Sequence, residues 1–127
     1  MNQAVIAVGS NIDPGKNIQL ASSLLDKNQK LLKKSSFTKT EPIQYGNQPD
    51  FMNGAFLIET ESLLDDLIAW LKSVEKQLGR KPSKNKYGPR PIDLDVVVWN
   101  GEIISDDFYE RDFVKNAVLE LLPSIKY

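Results

Sequence analysis

The sequence predicts an α+β fold whose elements follow the order β-α-β-β-α-β. Three observations support this order: an apolar run at 4–8 that ends at a glycine, an amphipathic stripe after Ser62, and an apolar segment at 92–99 that precedes Asn100-Gly101. Short apolar runs indicate strands, whereas apolar spacings of three and four indicate helices. We expect residues 1–127 to form one domain, because this length is usual for a single core.

The N-terminal segment predicts a strand followed by a helix. Ala4–Val8 is too short for a helix and is typical of a buried central strand. Asp13 and Pro14 predict the helix start, as cap and first-turn residue. Apolar residues then recur at roughly helical spacing, and the predicted helix extends as far as Leu31 and Leu32.

Two further strands and a second helix follow. Ser35–Thr40 and Met52–Thr60 predict the strands, which are separated by a polar stretch. Ser62 is the expected cap of an amphipathic helix, and Gly79 is its expected end.

The last predicted elements are a strand, a hairpin and a helix. Ile92–Trp99 predicts the strand, Asn100-Gly101 is a typical hairpin turn, and a final helix is expected at about Phe113–Leu122. The whole order is that of the ferredoxin-like fold, an antiparallel sheet with helices on one face. We therefore expect the other face to be open for a site.

The composition excludes several kinds of chemistry. The chain contains no cysteine and no histidine, and its formal net charge is −1. Disulfides, zinc–thiolate sites, cysteine nucleophiles and Ser-His triads are therefore excluded. No apolar run is long enough for a membrane span. We expect a soluble, monomeric protein of the cytoplasm that binds neither membranes nor nucleic acid.

Two carboxylates lie close together in the predicted strand at 92–99. Asp93 and Asp95 are two residues apart, so both side chains project from one face, about 6.5 Å apart. Like charges in an apolar strand are costly unless a cation joins them, and Mg²⁺ prefers carboxylate and phosphate oxygens. The pair predicts a magnesium–nucleotide site, although a solvated face of an edge strand would also explain it.

A basic loop leads directly into this pair. It carries five cations and no anion, namely Arg80, Lys81, Lys84, Lys86 and Arg90. Such a loop beside a metal site could hold a triphosphate, or it could be a solvated loop without a ligand. The segment at 9–17 resembles a phosphate-binding P-loop, but it has five residues between its glycines where that motif has four, and Asn17 follows the lysine.

The segment Gln48–Asn53 could bind a flat heterocycle. Phe51 could stack on a ring, and the amide of Asn53 offers donors and an acceptor to a ring edge. A core phenylalanine beside a turn asparagine would explain the same residues.

Four segments together resemble the 6-hydroxymethyl-7,8-dihydropterin pyrophosphokinase family, in a short form with a divergent C-terminal segment. They are Gly9-Ser10-Asn11, Gln48–Asn53, Leu78-Gly79-Arg80 and Gly88–Asp95. The resemblance implies the ferredoxin-like fold and pyrophosphate transfer from ATP to the hydroxymethyl group of the pterin, with release of AMP. It also implies two magnesium ions held by Asp93 and Asp95.

The resemblance further assigns the substrate contacts. Phe51 would stack on the pterin, while Asn53 and backbone groups near Thr40 and Ile43 would form hydrogen bonds with its edge. The implied contacts to ATP are Lys72, Glu75, Arg80, Arg90, Tyr109 and Lys115.

The chain departs from the family at several of these positions. Pro82 stands where the family has an arginine, and Tyr87 where it usually has tryptophan. Tyr109 is matched to a histidine that contacts ATP, and Lys115 to an arginine. Ala117 is matched to the second aromatic residue of the pterin site, so Ala117→Phe is predicted to tighten pterin binding.

Two alternatives remain open at this stage. A paralogue that binds pterin or nucleotide with weak or no turnover would agree with the C-terminal departures. An RNA-binding domain shares the element order, but Met52–Thr60 lacks the aromatic pattern that such domains use.

Overall fold

A six-stranded antiparallel sheet is the centre of the molecule. The computed structural model describes residues 1–41, 49–79 and 90–127. Strand β1 (Asn2–Ser10) pairs antiparallel with β4 (Phe51–Thr60) on one side and with β5 (Asp93–Trp99) on the other. Because β1 is central and apolar on both faces, each face of the sheet must be covered over at least part of its area.

The remaining strands extend this sheet in the order β2-β4-β1-β5-β6. Strands β2 (Lys30–Lys34) and β3 (Thr38–Thr40) both pair with β4, β2 at residues 56–59 and β3 at residues 51–53. Strand β6 (Glu102–Ile103) pairs with the end of β5 through a turn at Asn100-Gly101. Both turn residues have positive φ, 50° and 82°, which confirms the predicted hairpin.

Two long helices cover one face of the sheet. Helix α1 (Pro14–Asn28) and helix α2 (Leu64–Gln77) place Leu25, Leu67 and Leu71 against that face. This first core contains alternate strand residues, listed as Ala4, Ile6, Val8, Phe56, Ile58, Leu94 and Val96.

The C-terminal segment covers part of the opposite face. Helix α3 (Asp107–Glu110) and helix α4 (Asp112–Leu121) bury Phe108, Val114, Val118 and Leu121. Their partners are the other set of alternate strand residues, Val5, Ala55, Leu57, Val97 and Val98. The expectation that the second face would be open is therefore wrong where α3 and α4 cover it. The uncovered part of this face carries the site.

Three local predictions differ from the structure. Leu31 and Leu32 lie in β2 rather than in the first helix, which ends at Asn28, because pairing with β4 overrides their helical spacing. Helix α2 has Leu63 rather than Ser62 at its cap position. Asp13 does hold the cap position of α1, but with left-handed backbone and no capping hydrogen bond from its side chain.

The architecture confirms the predicted α+β fold of the ferredoxin-like type. The sheet is antiparallel throughout, and the predicted C-terminal hairpin and helix are both present. None of the helices in the described ranges is both long and apolar enough to cross a membrane.

Candidate active site

The floor of the site consists of two rows of residues that run across three strands. In one row Gly9 of β1 lies between Asn53 and Asp93, and in the next row Ala7 lies between Ala55 and Asp95. All of these positions alternate in phase with Val5, so they share the face that α4 covers further along. Neighbouring strands are about 4.8 Å apart, which places Asn53 and Asp93 about 10 Å from each other.

A cavity of about 440 Å³ lies above this floor. Its polar walls include Thr40, Glu41, Asn53, Lys72, Arg90, Asp93, Asp95, Asp107 and Arg111. Its apolar walls include Phe51 from the sheet and Phe113 from α4. The structure therefore brings together the aspartate pair, Arg90, Lys72, Thr40, Phe51 and Asn53, all of which the sequence had singled out.

Asp95 lies among other carboxylates that disfavour its charged form. Burial raises the pKa of Asp95 from 3.8 to about 7, and the charges of Asp93, Glu75 and Asp107 add to this shift. A hydrogen bond from the protonated carboxyl of Asp95 to Asp93 acts in the same direction. The side chain of Asp95 is nevertheless accessible from the cavity, so water reaches one side of the carboxylate while the walls desolvate the other. A divalent cation on that open side would relieve the repulsion between the carboxylates. Mg²⁺ is suited to this position because it prefers hard oxygen ligands.

The pair can supply only part of a coordination shell. In the described part of the chain, no group of three or more Asp, Glu, His or Cys side chains is arranged to hold a metal ion. Mg²⁺ characteristically takes one or two carboxylates and completes its shell with phosphate oxygens and water. The donor set therefore suits magnesium that arrives with a polyphosphate better than a permanently caged ion.

Asn11 fixes the position of Arg90 beside this pair. The backbone N–H of Arg90 donates to Oδ1 of Asn11 (2.7 Å), and the backbone N–H of Asn11 donates to the carbonyl of Arg90 (3.1 Å). Nη1 of Arg90 then lies 3.7 Å from Oδ1 of Asp93. From the sequence, Asn11 was expected only in a tight turn, and its place in a segment shared with the family was the sole sign of a larger role.

The opposite end of the floor presents an amide and an aromatic ring. Nδ2 of Asn53 donates to Oγ1 of Thr40 (2.5 Å), which fixes the orientation of the amide. A Cβ atom at Gly9 would lie 2.7 Å from Oδ1 of Asn53, so only glycine leaves this amide in place. Phe51 is half-buried and lines the same cavity.

A second cavity, of about 580 Å³, adjoins the first at Lys72, Asp95 and Asp107. Its apolar walls come from α2, β5 and the segment after β6, and they are Ile68, Leu71, Leu94, Val96 and Ile104. Strand β6 pairs with β5 only at Val98 and Trp99. Among the described residues, the earlier part of β5 therefore has no strand neighbour on this side, and Leu94, Asp95 and Val96 line the cavity.

Four residues that the resemblance implicated lie elsewhere. Glu75 is buried, and its Oε2 accepts a hydrogen bond from the backbone N–H of Leu94 (2.7 Å). The ring of Tyr109 packs edge-on against Phe108 and is 62% exposed, whereas Lys115 lies over the ring of Tyr127. These three side chains do not line either cavity.

Ala117 is the fourth, and its assignment requires correction. Ala117 is buried in the second core, on the same stripe as Val114, Val118 and Leu121. The aromatic residue of α4 that does line the cavity is Phe113, and Arg111, which directly precedes α4, also lines it. Neither residue was singled out from the sequence. The signal was available in the spacing, because 114, 117, 118 and 121 form a helical stripe that makes Ala117 a core position.

Four further positions named from the sequence lie outside the described residues, namely Ile43, Arg80, Pro82 and Tyr87.

Comparison with known proteins finds a matching family. The family model described as 7,8-dihydro-6-hydroxymethylpterin-pyrophosphokinase (HPPK) matches residues 5–123. A 2-amino-4-hydroxy-6-hydroxymethyldihydropteridine pyrophosphokinase of Haemophilus influenzae is 32% identical over 95% of this chain and 82% of its own length. The protein of the same name in Bacillus subtilis is 32% identical over 98% of this chain and 81% of its own length.

Longer proteins are also similar. A folate synthesis bifunctional protein of Arabidopsis thaliana is 35% identical over 94% of this chain, which spans 27% of the plant protein's length. A match over nearly the whole chain, with relatives of similar length, shows the family. The chain belongs to the 7,8-dihydro-6-hydroxymethylpterin-pyrophosphokinase family, a family of ATP-dependent diphosphotransferases of folate biosynthesis.

Proposed function

We propose that this chain transfers pyrophosphate from ATP to 6-hydroxymethyl-7,8-dihydropterin and releases AMP. The observation that carries the proposal is the strip formed by Asn53, Gly9 and Asp93. It places the amide of Asn53 and the carboxylate pair on one sheet face, about 10 Å apart, with no bulky side chain between them.

The pterin is proposed to lie at the Asn53 end of the cavity. Phe51 and Phe113 both line this space, and aromatic rings of this kind stack on a flat heterocycle. Asn53, with its amide fixed by Thr40, would pair with the hydrogen-bonding edge of the pterin. Phe113, and not position 117, is therefore proposed as the second aromatic residue of the pterin site. The contact from Ile43 remains a prediction from the sequence.

The nucleotide is proposed to span the two cavities. The second cavity offers apolar walls and the backbone edge of β5 to the adenine base, while its junction at Lys72 and Asp95 would hold the phosphates. Arg90 and Arg111 line the first cavity, where each could bind phosphate oxygens through its planar fork. This assignment adds Arg111 and retains Arg80, Glu75, Tyr109 and Lys115 only as predictions from the sequence.

Asp93 and Asp95 would hold two magnesium ions together with the phosphates. When bound, these ions neutralise negative charge on the polyphosphate as it transfers. The chain's own residues bind the two substrates, orient them toward each other and exclude water. The hydroxymethyl oxygen forms a bond to the β-phosphorus, the bond from that phosphorus to the oxygen of AMP breaks, and the proton leaves to solvent. Because the chain has no histidine, positioning and charge neutralisation must supply most of the rate.

The direct test is incubation of the protein with ATP, MgCl₂ and 6-hydroxymethyl-7,8-dihydropterin, followed by chromatographic assay for AMP. The proposal requires AMP to form in equal amount to pterin pyrophosphate, and only when all three components are present. ATP cleavage to ADP, or no cleavage, would contradict it. Calorimetric binding of pterin without AMP release would instead support the alternative, a binding paralogue. A monomeric state and a cytoplasmic location remain predictions from the sequence.

A further inference from the structure

Asp107 lies where the two cavities meet, and its carboxylate contacts Arg111. Asp107 is the first residue of α3 and lines both cavities. Its Oδ1 lies 3.4 Å from Nε of Arg111, and the backbone N–H of Arg111 donates to the carbonyl of Asp107 (2.9 Å). The two side chains are 39% and 29% exposed, so neither is free in bulk solvent.

This contact uses Nε of Arg111 and does not involve the two terminal nitrogens of its guanidinium group. The guanidinium group binds phosphate best when its two terminal nitrogens present parallel N–H groups. Within the described parts of the chain, these terminal nitrogens make no hydrogen bond. The Nε contact therefore restricts the rotation of Arg111 without occupying the atoms that a phosphate would use.

A carboxylate at this position is otherwise unfavourable for a site that binds a polyanion. Asp107 adds to the negative field that already acts on Asp95. A further negative charge beside a triphosphate weakens its binding. The contact by which Asp107 restricts Arg111 offsets this repulsion.

We propose that Asp107 is a positioning residue that orients the guanidinium of Arg111 toward the phosphates of ATP. This inference rests on the proposed function, because it assumes that a polyphosphate occupies the junction of the two cavities. Asp107 acts through Arg111 and does not itself need to touch the nucleotide.

A pair of substitutions separates positioning from charge. Asp107→Asn and Asp107→Ala remove the same negative charge, but only asparagine keeps a side-chain oxygen that can accept the Nε–H. We expect Asp107→Ala to weaken magnesium–ATP binding about tenfold, as loss of a hydrogen bond to a charged group implies. Asp107→Asn should bind within about twofold of the parent chain or more tightly. Equal affinities of the two variants would overturn the proposal, because charge alone would then explain the effect.

A double-mutant cycle provides the second readout. In an Arg111→Ala background, Asp107→Ala should cause no further loss of affinity for magnesium–ATP. A full tenfold loss in that background would show that Asp107 acts without Arg111 and would overturn the proposal. Asp112→Asn is the matched control, since Asp112 is exposed, adjoins Arg111 and lines neither cavity. Thermal unfolding of each variant verifies that it is folded.

The binding measurement keeps the two proposals apart. If the parent chain binds magnesium–ATP by calorimetry but releases no AMP with the pterin, the proposed function fails while the comparison of Asp107 variants still decides the inference. If the parent chain does not bind magnesium–ATP at all, both proposals are overturned.

Discussion

Gly9 lies directly opposite Asn53 across the β1–β4 ladder, and a Cβ atom at Gly9 would come within 2.7 Å of the amide oxygen of Asn53. Such an approach is too close to persist, so Gly9→Ala must displace the amide. We predict that Gly9→Ala weakens pterin binding about tenfold or more, because the ring edge loses a fixed hydrogen-bonding partner. Pterin affinity measured by calorimetry checks this prediction.

Gly15→Ala is the matched control for Gly9→Ala. A Cβ atom at Gly15 would meet nothing within 4 Å, and the residue lies in helix α1. This variant should keep normal pterin affinity and gain up to about 1 kcal/mol of stability from helix propensity. Equal pterin affinities for the two variants would argue against a hydrogen bond between Asn53 and the edge of the pterin ring.

Asp95→Asn should abolish most of the activity without unfolding the protein. The substitution removes one anionic ligand from the pair, so AMP release should fall by about a hundredfold or more, comparable to the loss of one strong electrostatic contact to a transition state. The folded fraction should be unchanged at neutral pH, because an amide relieves repulsion from Asp93. Near-normal AMP release would contradict the assignment of the metal pair.

The raised pKa of Asp95 predicts a specific dependence of stability on pH. Its value rises from 3.8 to about 7 on folding, so the folded state binds this proton more tightly than the unfolded chain does. The resulting stabilisation is complete below the unfolded value and is lost as the pH rises through about 7. We therefore expect Tm to fall between about pH 5 and about pH 8 by more in the parent chain than in Asp95→Asn.

Magnesium should reverse part of that loss. The ion binds the ionised carboxylate, so added MgCl₂ should raise Tm more at about pH 8 than at about pH 5. Sodium chloride at equal ionic strength is the control for screening. Identical Tm curves for the parent chain and Asp95→Asn would show that the carboxyl group is not buried against its neighbours.

The affinity for the pterin should depend on Phe113 and not on position 117, contrary to the prediction from the sequence. Phe113→Ala removes an aromatic wall of the cavity and should cost about 1 kcal/mol or more of pterin binding. Ala117→Phe inserts a ring into a packed core and should destabilise the fold by about 1–3 kcal/mol without tightening pterin binding. Tighter pterin binding by folded Ala117→Phe would restore the earlier assignment.

Glu75 is expected to act on stability through strand β5. Its Oε2 accepts the N–H of Leu94, the residue between the two aspartates. Glu75→Ala should cost about 1–3 kcal/mol, since it leaves a buried N–H without that partner. Glu75→Gln retains an acceptor and should cost less. Urea unfolding of both variants checks this order, and equal stabilities would mean that the hydrogen bond is not important.

Much of the site could be predicted because strand alternation is a local property. The spacing of Asp93 and Asp95 was sufficient to place both on one face, and the hairpin at Asn100-Gly101 followed from its turn residues. What the spacing could not give was the pairing across strands. That Gly9 lies between Asn53 and Asp93 depends on contacts between residues more than forty positions apart.

The errors arose where tertiary contacts compete with local preference. Leu31 and Leu32 have helical spacing, but the edge of β4 binds this segment as a strand. The family resemblance matched Ala117 to an aromatic residue of the pterin site, but Ala117 belongs to the buried stripe of α4. A residue in that stripe faces the core and does not line the cavity.

The face beneath α4 continues without a break into the floor of the site, and this continuity determines how mutations there would behave. Val97 and Asp95 are two residues apart on one strand and one face, yet the first is covered by helix and the second opens into the cavity. A genetic screen that scores only loss of growth would group changes at both positions together. Protein abundance measured alongside growth should separate them, with depleted protein for one class and abundant, inactive protein for the other.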